Sequence, residues 1–96
     1  MDVISLDIFK EELDNSDNIY FYKEIKRVRV GNKKTDKMDY TKEKVKLTIK
    51  TDKDGKTYLT DLNDDIKCYI TEDFVILKSQ RNSYIIKGPN SMVFLV

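Results

Sequence analysis

The chain contains no histidine, no tryptophan and no alanine, and it has a single cysteine, Cys68. Without histidine, the Ser-His and Cys-His nucleophile pairs, the commonest general base and the histidine metal sites are all excluded. A lone cysteine cannot form an internal disulfide, which agrees with a reducing compartment. We therefore expect no catalysis, no metal site and no cofactor, and we expect Cys68, on the inward phase of a strand, to be a buried and inert thiol.

Long apolar runs are also missing. The longest are Phe74–Leu77 and Met92–Val96, which are far too short to span a membrane. The acidic N-terminal segment lacks the positive charge and apolar stretch of a secretory signal. These observations predict a soluble, cytoplasmic protein with no membrane partner.

The residues that are present predict one small domain. A chain of 96 residues with 40% hydrophobic side chains can form one modest core, so residues 1–96 are expected to be a single domain. The charged fraction is 36%, well above the usual quarter, which predicts a densely charged surface.

The net charge of +1 conceals a segregation of charge along the chain. Residues 1–18 have one lysine against six carboxylates, and residues 19–56 have thirteen lysines and arginines against six carboxylates. The remaining residues are nearly balanced, with four basic and five acidic side chains. An acidic leader and a basic middle in one small domain predict a directional electrostatic surface.

Residues 1–16 are the one good helix candidate. Leu6, Phe9 and Leu13 recur at a helical spacing and share one face, and Ser5 or Asp2 can cap the N-terminus. The carboxylates near the end of this segment oppose the helix dipole, so a positive partner from the basic middle is expected there.

Residues 19–96 have the pattern of an antiparallel sheet. Lys42–Thr51 alternates apolar and polar side chains, and the turn signal at 52–55 follows it directly. Further turn signals recur roughly every 8–12 residues, which favours a meander or a barrel. Phe74–Leu77 and Met92–Val96 are apolar on both phases, so we expect central strands that are covered on both sides. The predicted fold is α+β, with one N-terminal helix on an antiparallel β-meander or small open barrel of about six or seven strands.

The basic middle is the strongest candidate for a functional surface. Its apolar phase changes after Ile25, which predicts either a bulge near Lys26 and Arg27 or a break into two strands. Residues 31–39 have the composition of a polar connection. Pairing of the strand at Val28 with the strand at Lys42–Thr51 would align the basic side chains on one face. The candidate partner-binding residues are Lys23, Lys26, Arg27, Arg29, Lys33, Lys34, Lys44, Lys46 and Lys50.

Several functions fit this surface. The leading hypothesis is a non-enzymatic binding protein that contacts a negatively charged protein, because the chemistry of catalysis is missing. Its size and its lysine-, asparagine- and isoleucine-rich composition are typical of small phage or mobile-element proteins that inhibit a host protein. The first alternative is a nucleic-acid-binding accessory protein, with Tyr20, Phe21 and Tyr22 available for stacking on bases. A purely solvated basic face and a homo-oligomer also remain open.

The last alternative is a magnesium-dependent nuclease. Glu24-Ile25-Lys26 and Asp65-Ile66-Lys67 match the acid-x-Lys triplet in which a carboxylate holds Mg²⁺ and the lysine orients water. The triplet is common in a chain rich in lysine and aspartate, and the usual α/β context is missing, so this alternative ranks last.

Overall fold

A computed structural model describes all 96 residues, and it contains one helix and nine strands. In chain order the elements are β1 (Asp2–Ile4), α1 (Leu6–Asn15), β2 (Tyr22–Val30), β3 (Lys33–Tyr40), β4 (Leu47–Thr51), β5 (Thr57–Asp61), β6 (Lys67–Tyr69), β7 (Val75–Lys78), β8 (Tyr84–Lys87) and β9 (Ser91–Leu95). All strand pairs are antiparallel, and neither sheet closes into a barrel. The predicted α+β class is therefore confirmed. The molecule has no helix with the length and apolar character needed to cross a membrane.

Helix α1 starts and ends where its sequence signals lie. The Ser5 hydroxyl accepts a hydrogen bond of 3.2 Å from the backbone N–H of Ile8, which is the capping interaction of a helix N-terminus. Phe9 and Leu13 are buried. The helix is shorter than the predicted residues 1–16, because Asp2–Ile4 forms a strand that pairs with β7.

The strands form two sheets. The large sheet has the order β1-β7-β8-β9-β2-β3, and the small sheet has the order β4-β5-β6. Strands β7 and β9 each have a neighbour on both sides, as expected from their apolar sequences. The long-range pairing of β9 with β2 joins the last strand of the chain to the middle of the large sheet.

One core lies between the large sheet on one side and α1 with the small sheet on the other. Ile86, Val93 and Leu95 of the large sheet are fully buried, and they belong to the same cluster as Leu47 and Leu59 of the small sheet. Fully burying an aliphatic side chain of this size stabilises the fold by about 1.5–3 kcal/mol, so this cluster is the main source of stability.

The structure corrects the expectation that residues 31–39 are a polar connection. Lys33–Tyr40 is an eight-residue edge strand, and every one of its residues is exposed. Gly31 has a φ of +63° at the first position of the turn that joins β2 to β3, as a type II′ turn requires. Because neither face of β3 is buried, its sequence has no apolar alternation that would mark it as a strand.

The predicted bulge near Lys26 and Arg27 is absent. The pairing of β2 with β3 runs without interruption from Lys23 opposite Tyr40 to Val30 opposite Lys33. The buried phase of β2 is the one that contains Tyr22 and Glu24, whereas Phe21 is exposed. The sequence pattern was misleading because apolar side chains occupy both faces of β2: Ile25 lies on the outer face, whereas Val28 and Val30 share the phase of Tyr22.

Strands β2 and β4 do not pair along their length. β4 pairs with β5 in the small sheet, and its one link to the segment before β2 is an isolated bridge between Tyr20 and Val45. The predicted basic face that spans these two strands is therefore wrong, and its residues divide between two sheets.

Candidate interaction surface

The nine predicted basic residues fall into two groups. Six of them lie on β2 and β3, and all six side chains are exposed; they are Lys23, Lys26, Arg27, Arg29, Lys33 and Lys34. The other three lie in the small sheet or directly before it; they are Lys44, Lys46 and Lys50.

The three lysines of the second group have local partners. Lys46 donates hydrogen bonds to the carbonyl oxygens of Leu13, at 2.8 Å, and of Ser16. Lys50 lies 3.3 Å from the carboxylate of Asp64. Lys46 thus satisfies the C-terminal end of α1, where the helix dipole favours a cation, and the basic middle supplies the positive partner that was expected there.

The first group forms most of a projecting basic ribbon, which we define as residues 26–37. β9 pairs with β2 as far as Lys26, and the N–H of Arg27 still donates to the carbonyl of Asn90. From Val28 opposite Thr35 onward, the hairpin continues beyond the sheet as two strands alone. The basic ribbon has six lysine and arginine side chains and one carboxylate, Asp36, which lies 3.6 Å from Arg27. Its local charge is therefore strongly positive.

A second feature was not predicted from the sequence: one whole face of the large sheet is uncovered. Side chains alternate across a sheet, so the register assigns each residue to the core face or to the opposite face. We call this opposite face the open face. Its apolar side chains are Val3, Phe21, Ile25, Met38, Tyr40, Val75, Leu77, Ile85, Met92, Phe94 and Val96.

No side chain in this set is buried. Ile85 and Phe94 at the middle of the open face are half-buried by their neighbours, and Val3 and Val96 toward its borders are 70% and 65% exposed. The open face of an antiparallel sheet is ordinarily polar, because water covers it. The expectation that the apolar strands are covered on both sides is therefore wrong for this face.

The apolar side chains of the open face align in rows across the strands. One row runs through Val3, Leu77, Ile85 and Phe94 on four successive strands. Directly opposite residues in neighbouring strands have β-carbons about 4.5–5.5 Å apart, so each row is a continuous strip. A strip of this kind is a contiguous apolar patch and not a scatter of single side chains.

Basic side chains predominate around and within the patch. The basic side chains of the open face are Lys23, Arg27, Arg29, Lys34 and Lys87, and the acidic one is Asp36. In addition, the ammonium of Lys44 lies 5.6 Å from the centre of the Phe21 ring. The open face therefore combines apolar contact area with a positive potential.

The core side of β2 holds a buried carboxylate. Tyr22 donates a 2.5 Å hydrogen bond to Glu24, and the Cys68 thiol lies 3.7 Å from the other carboxylate oxygen. Burial, followed by the negative charge of Glu24, raises the pKa of the Cys68 thiol to about 12. Burial, followed by the hydrogen bond that its hydroxyl donates to Glu24, raises the pKa of Tyr22 above its ordinary range. A thiol with a raised pKa stays neutral near pH 7, and a neutral thiol is a poor nucleophile.

The two acid-x-Lys triplets lie in different sheets. Glu24 is buried in the network of Tyr22 and Cys68, whereas Asp65 is exposed in the turn before β6. No three histidine, cysteine, aspartate or glutamate side chains are grouped closely enough to hold a metal ion. The fold thus separates the carboxylates on which the nuclease alternative depends.

A cleft of about 960 Å³ opens at the end of the molecule where β1 leads into α1. The carboxylate of Asp52 lies at its rim, where it accepts hydrogen bonds from the backbone of Asp54 and Lys56, both at 2.9 Å, and from the hydroxyl of Tyr69. These bonds, led by the one from Lys56, lower the pKa of Asp52 and tie its carboxylate to the hairpin turn. The lining of the cleft is half apolar and half polar, and Asp54 and Glu72 contribute further carboxylates to it.

Comparison with protein-family models, with curated protein sequences and with solved structures finds no match to the chain.

Proposed function

We propose that this chain is a small, non-enzymatic binding protein that docks the acidic surface of another protein on its open face. The observation that supports the proposal is the contiguous apolar patch on an uncovered sheet face, which is interrupted by basic side chains. Large exposed apolar patches in small proteins mark interaction sites. A partner with apolar side chains at its centre and carboxylates around them would complement both properties.

The charges and the apolar rows have separate roles in this proposal. Lys23 and Lys87 are exposed on the open face and would steer an acidic partner toward it during encounter. Ile85 and Phe94 would then supply the desolvated centre of the interface, which is where most binding energy resides. Binding of this type needs no nucleophile, metal or cofactor.

The composition supports a more specific version of the proposal. A small, lysine-rich binding domain without catalytic side chains is what we expect of a phage or mobile-element protein that inhibits a host protein by covering its surface. The single cysteine is buried and unpaired, which supports placement in the reducing cytoplasm.

Photocrosslinking tests the proposal directly. A photoreactive amino acid is placed at position 85, on the open face, or at position 62, where Leu62 is 70% exposed in the turn after β5. In a lysate of the source cells, we expect a discrete acidic protein to be crosslinked from position 85 and not from position 62. The double change Lys23→Glu and Lys87→Glu should weaken this crosslink, whereas Lys53→Glu with Lys56→Glu should not. Equal crosslinking from both positions would contradict the proposal.

A second candidate function, nucleic-acid binding, is favoured by the basic ribbon. A two-stranded ribbon fits the major groove of B-form DNA, and this ribbon has six cations for phosphate contact. Fluorescence anisotropy with labelled single-stranded DNA, duplex DNA and RNA at low and physiological salt separates the two functions. Micromolar binding that collapses with salt and is lost in Lys33→Glu with Lys34→Glu would favour nucleic acid. No binding at low salt would remove this candidate.

A further inference from the structure

The outer edge of the large sheet is a complete and unpaired strand. Directly before β2, the N–H of Phe21 donates a hydrogen bond to the carbonyl of Val96 on one side. The carbonyl of Tyr22, the first residue of β2, accepts a hydrogen bond from the N–H of Thr41 on the other side. Hydrogen-bonding direction alternates along a strand, so β3 bonds to β2 through its odd-numbered residues. The N–H and C=O groups of Lys34, Asp36, Met38 and Tyr40 consequently point away from the sheet.

The β3 edge lacks the usual backbone features that prevent another strand from pairing with it. β3 has eight residues, it contains no proline, its register with β2 has no bulge, and no helix or loop covers it. The opposite edge, β1, has only three residues. Charge is the remaining device, since lysine on an edge strand discourages pairing with further copies.

The charges near the edge select the kind of strand that can pair with it. On the core side of the sheet, β3 presents Lys33, Thr35, Lys37 and Asp39, and on the open side it presents Lys34, Asp36, Met38 and Tyr40. A second copy would bring another basic ribbon alongside the first, so like charges oppose self-pairing. A strand with carboxylates on one side and apolar side chains on the other would instead complement both sides of the edge.

We propose that β3 receives an extended, acidic strand from the partner protein, which becomes a seventh strand of the large sheet. This inference rests on the proposed function and specifies the partner. Its carboxylates lie opposite Lys33 and Lys37, and its apolar side chains lie beside Met38 and Tyr40, where they continue the rows of the open face. Backbone hydrogen bonds supply affinity, and the alternating side chains supply specificity.

The probe is a synthetic peptide of eight residues that alternates valine with glutamate, and its control alternates valine with lysine. Hydrogen exchange of the full chain is followed by NMR at single amides. We expect a saturating amount of the acidic peptide to slow exchange at Lys34, Asp36, Met38 and Tyr40 by about tenfold or more, because these amides gain partners. The basic peptide should slow none of them. Unchanged exchange with the acidic peptide, or equal protection by both peptides, would overturn the inference.

A backbone variant separates strand addition from side-chain contact. Met38→Pro removes one outward N–H and breaks no bond to β2, whereas Met38→Thr also removes the methionine side chain but retains the N–H. We expect Met38→Pro to lose peptide binding and Met38→Thr to retain it. Protection of the odd-numbered amides of β3 verifies that both variants keep the hairpin. Equal binding by the two variants would refute the inference.

The outcomes also distinguish this inference from the proposed function. If the acidic peptide protects none of the four edge amides while position 85 still crosslinks an acidic protein, the edge is not used and the open-face proposal stands. If the four amides become protected without peptide as the protein concentration rises, the occupant is a second copy and the inference is wrong.

Discussion

Individual polar side chains hold the helix against the rest of the molecule through hydrogen bonds. Lys46 lies on the outward phase of its strand, and the sequence pattern assigned it to a solvated basic face. In the structure its ammonium reaches the carbonyl oxygens at the end of α1. A periodicity argument gives the side of a strand on which a residue lies, but not which long side chain finds a partner there.

Removing this lysine should destabilise the fold measurably. We expect Lys46→Met to lower the free energy of unfolding by about 1 kcal/mol, because it leaves carbonyl groups of α1 without a donor. Lys50→Met is the matched control, since the ion pair of Lys50 with Asp64 is exposed and should contribute less than about 0.5 kcal/mol. Urea denaturation of both variants provides the comparison. A larger loss for Lys50→Met than for Lys46→Met would show that the helix contact is unimportant.

A second contact of α1, which Glu12 makes with the large sheet, should make the stability depend on pH. Hydrogen bonds from Lys78 and then from Tyr84, both at 2.6 Å, lower the pKa of Glu12. A carboxyl group with a lowered pKa in the folded state stabilises the protein above its unfolded pKa, and this contribution disappears as the pH falls through the folded pKa. Since Glu12 is about one-third exposed, we expect Glu12→Gln to lose no more than about 1 kcal/mol at pH 7.

The measurement for Glu12 is the free energy of unfolding of the wild type and of Glu12→Gln at pH 7 and pH 3. The difference between the two proteins should shrink at the lower pH, because falling pH protonates the Glu12 carboxylate and removes its charge. A difference that stays constant between the two pH values would show that the charge of Glu12 is not what stabilises the contact.

At the scale of elements, the sequence predicted the helix and the strands that bury one face, and it missed strands that bury neither face. Helix α1, strand β4 and the hairpin turn at Gly55 follow from helical spacing, from alternation and from turn chemistry, and all three are present. Strand β3 was missed because the hydrophobic signal of a strand comes from burial, and β3 is exposed along its whole length. Pairing partners were missed as well, because the pattern of one strand contains no information about its neighbour.

The candidate site was predictable to the same extent. Six of the nine proposed basic residues do lie together, because they are close in sequence and belong to one hairpin. The remaining three were grouped with them through an assumed pairing of β2 with β4. The open face could have been suspected from the apolar residues on both phases of β7 and β9, but only the register shows that nothing covers it.

The packing of the Phe74 ring beside β8 requires a glycine at position 88. Gly88 follows β8, and a β-carbon at this position would lie 2.5 Å from the ring of Phe74, which packs against the core. We expect Gly88→Ala to destabilise the protein by about 1–3 kcal/mol, because the ring must move out of its packed position. Thermal and urea denaturation measure this loss.

The control for Gly88→Ala is Gly31→Ala in the turn of the basic ribbon. A β-carbon there would meet no atom within 4 Å, so its cost arises only from the φ of +63°. That cost should be about 1 kcal/mol. If Gly88→Ala leaves the free energy of unfolding unchanged while Gly31→Ala lowers it, the ring of Phe74 can accommodate a β-carbon at position 88 and the expectation is wrong.

The whole molecule is a two-layer structure in which one face of the large sheet is covered and the other is open. Ile85 and Ile86 are neighbours in β8, yet Ile86 is fully buried in the core and Ile85 lies on the open face. We expect Ile86→Ala to cost about 3–4 kcal/mol and Ile85→Ala to cost about 1 kcal/mol in the isolated protein. The two substitutions remove the same atoms from adjacent positions, so their difference in urea denaturation measures how asymmetric the burial is. Equal losses would indicate that the outer face is covered after all.

The position of β9 between β8 and β2 also bears on how the protein is made. A ribosome produces β2 and β3 early, and the small sheet can form from β4, β5 and β6 soon after, since these strands follow one another directly. β9 joins β1, β7 and β8 to β2 and β3 and follows all of them in chain order, so the two parts of the large sheet join only once β9 has been made. The apolar rows that pass from β8 through β9 to β2 are therefore completed in one late step, when β9 takes its place in the sheet.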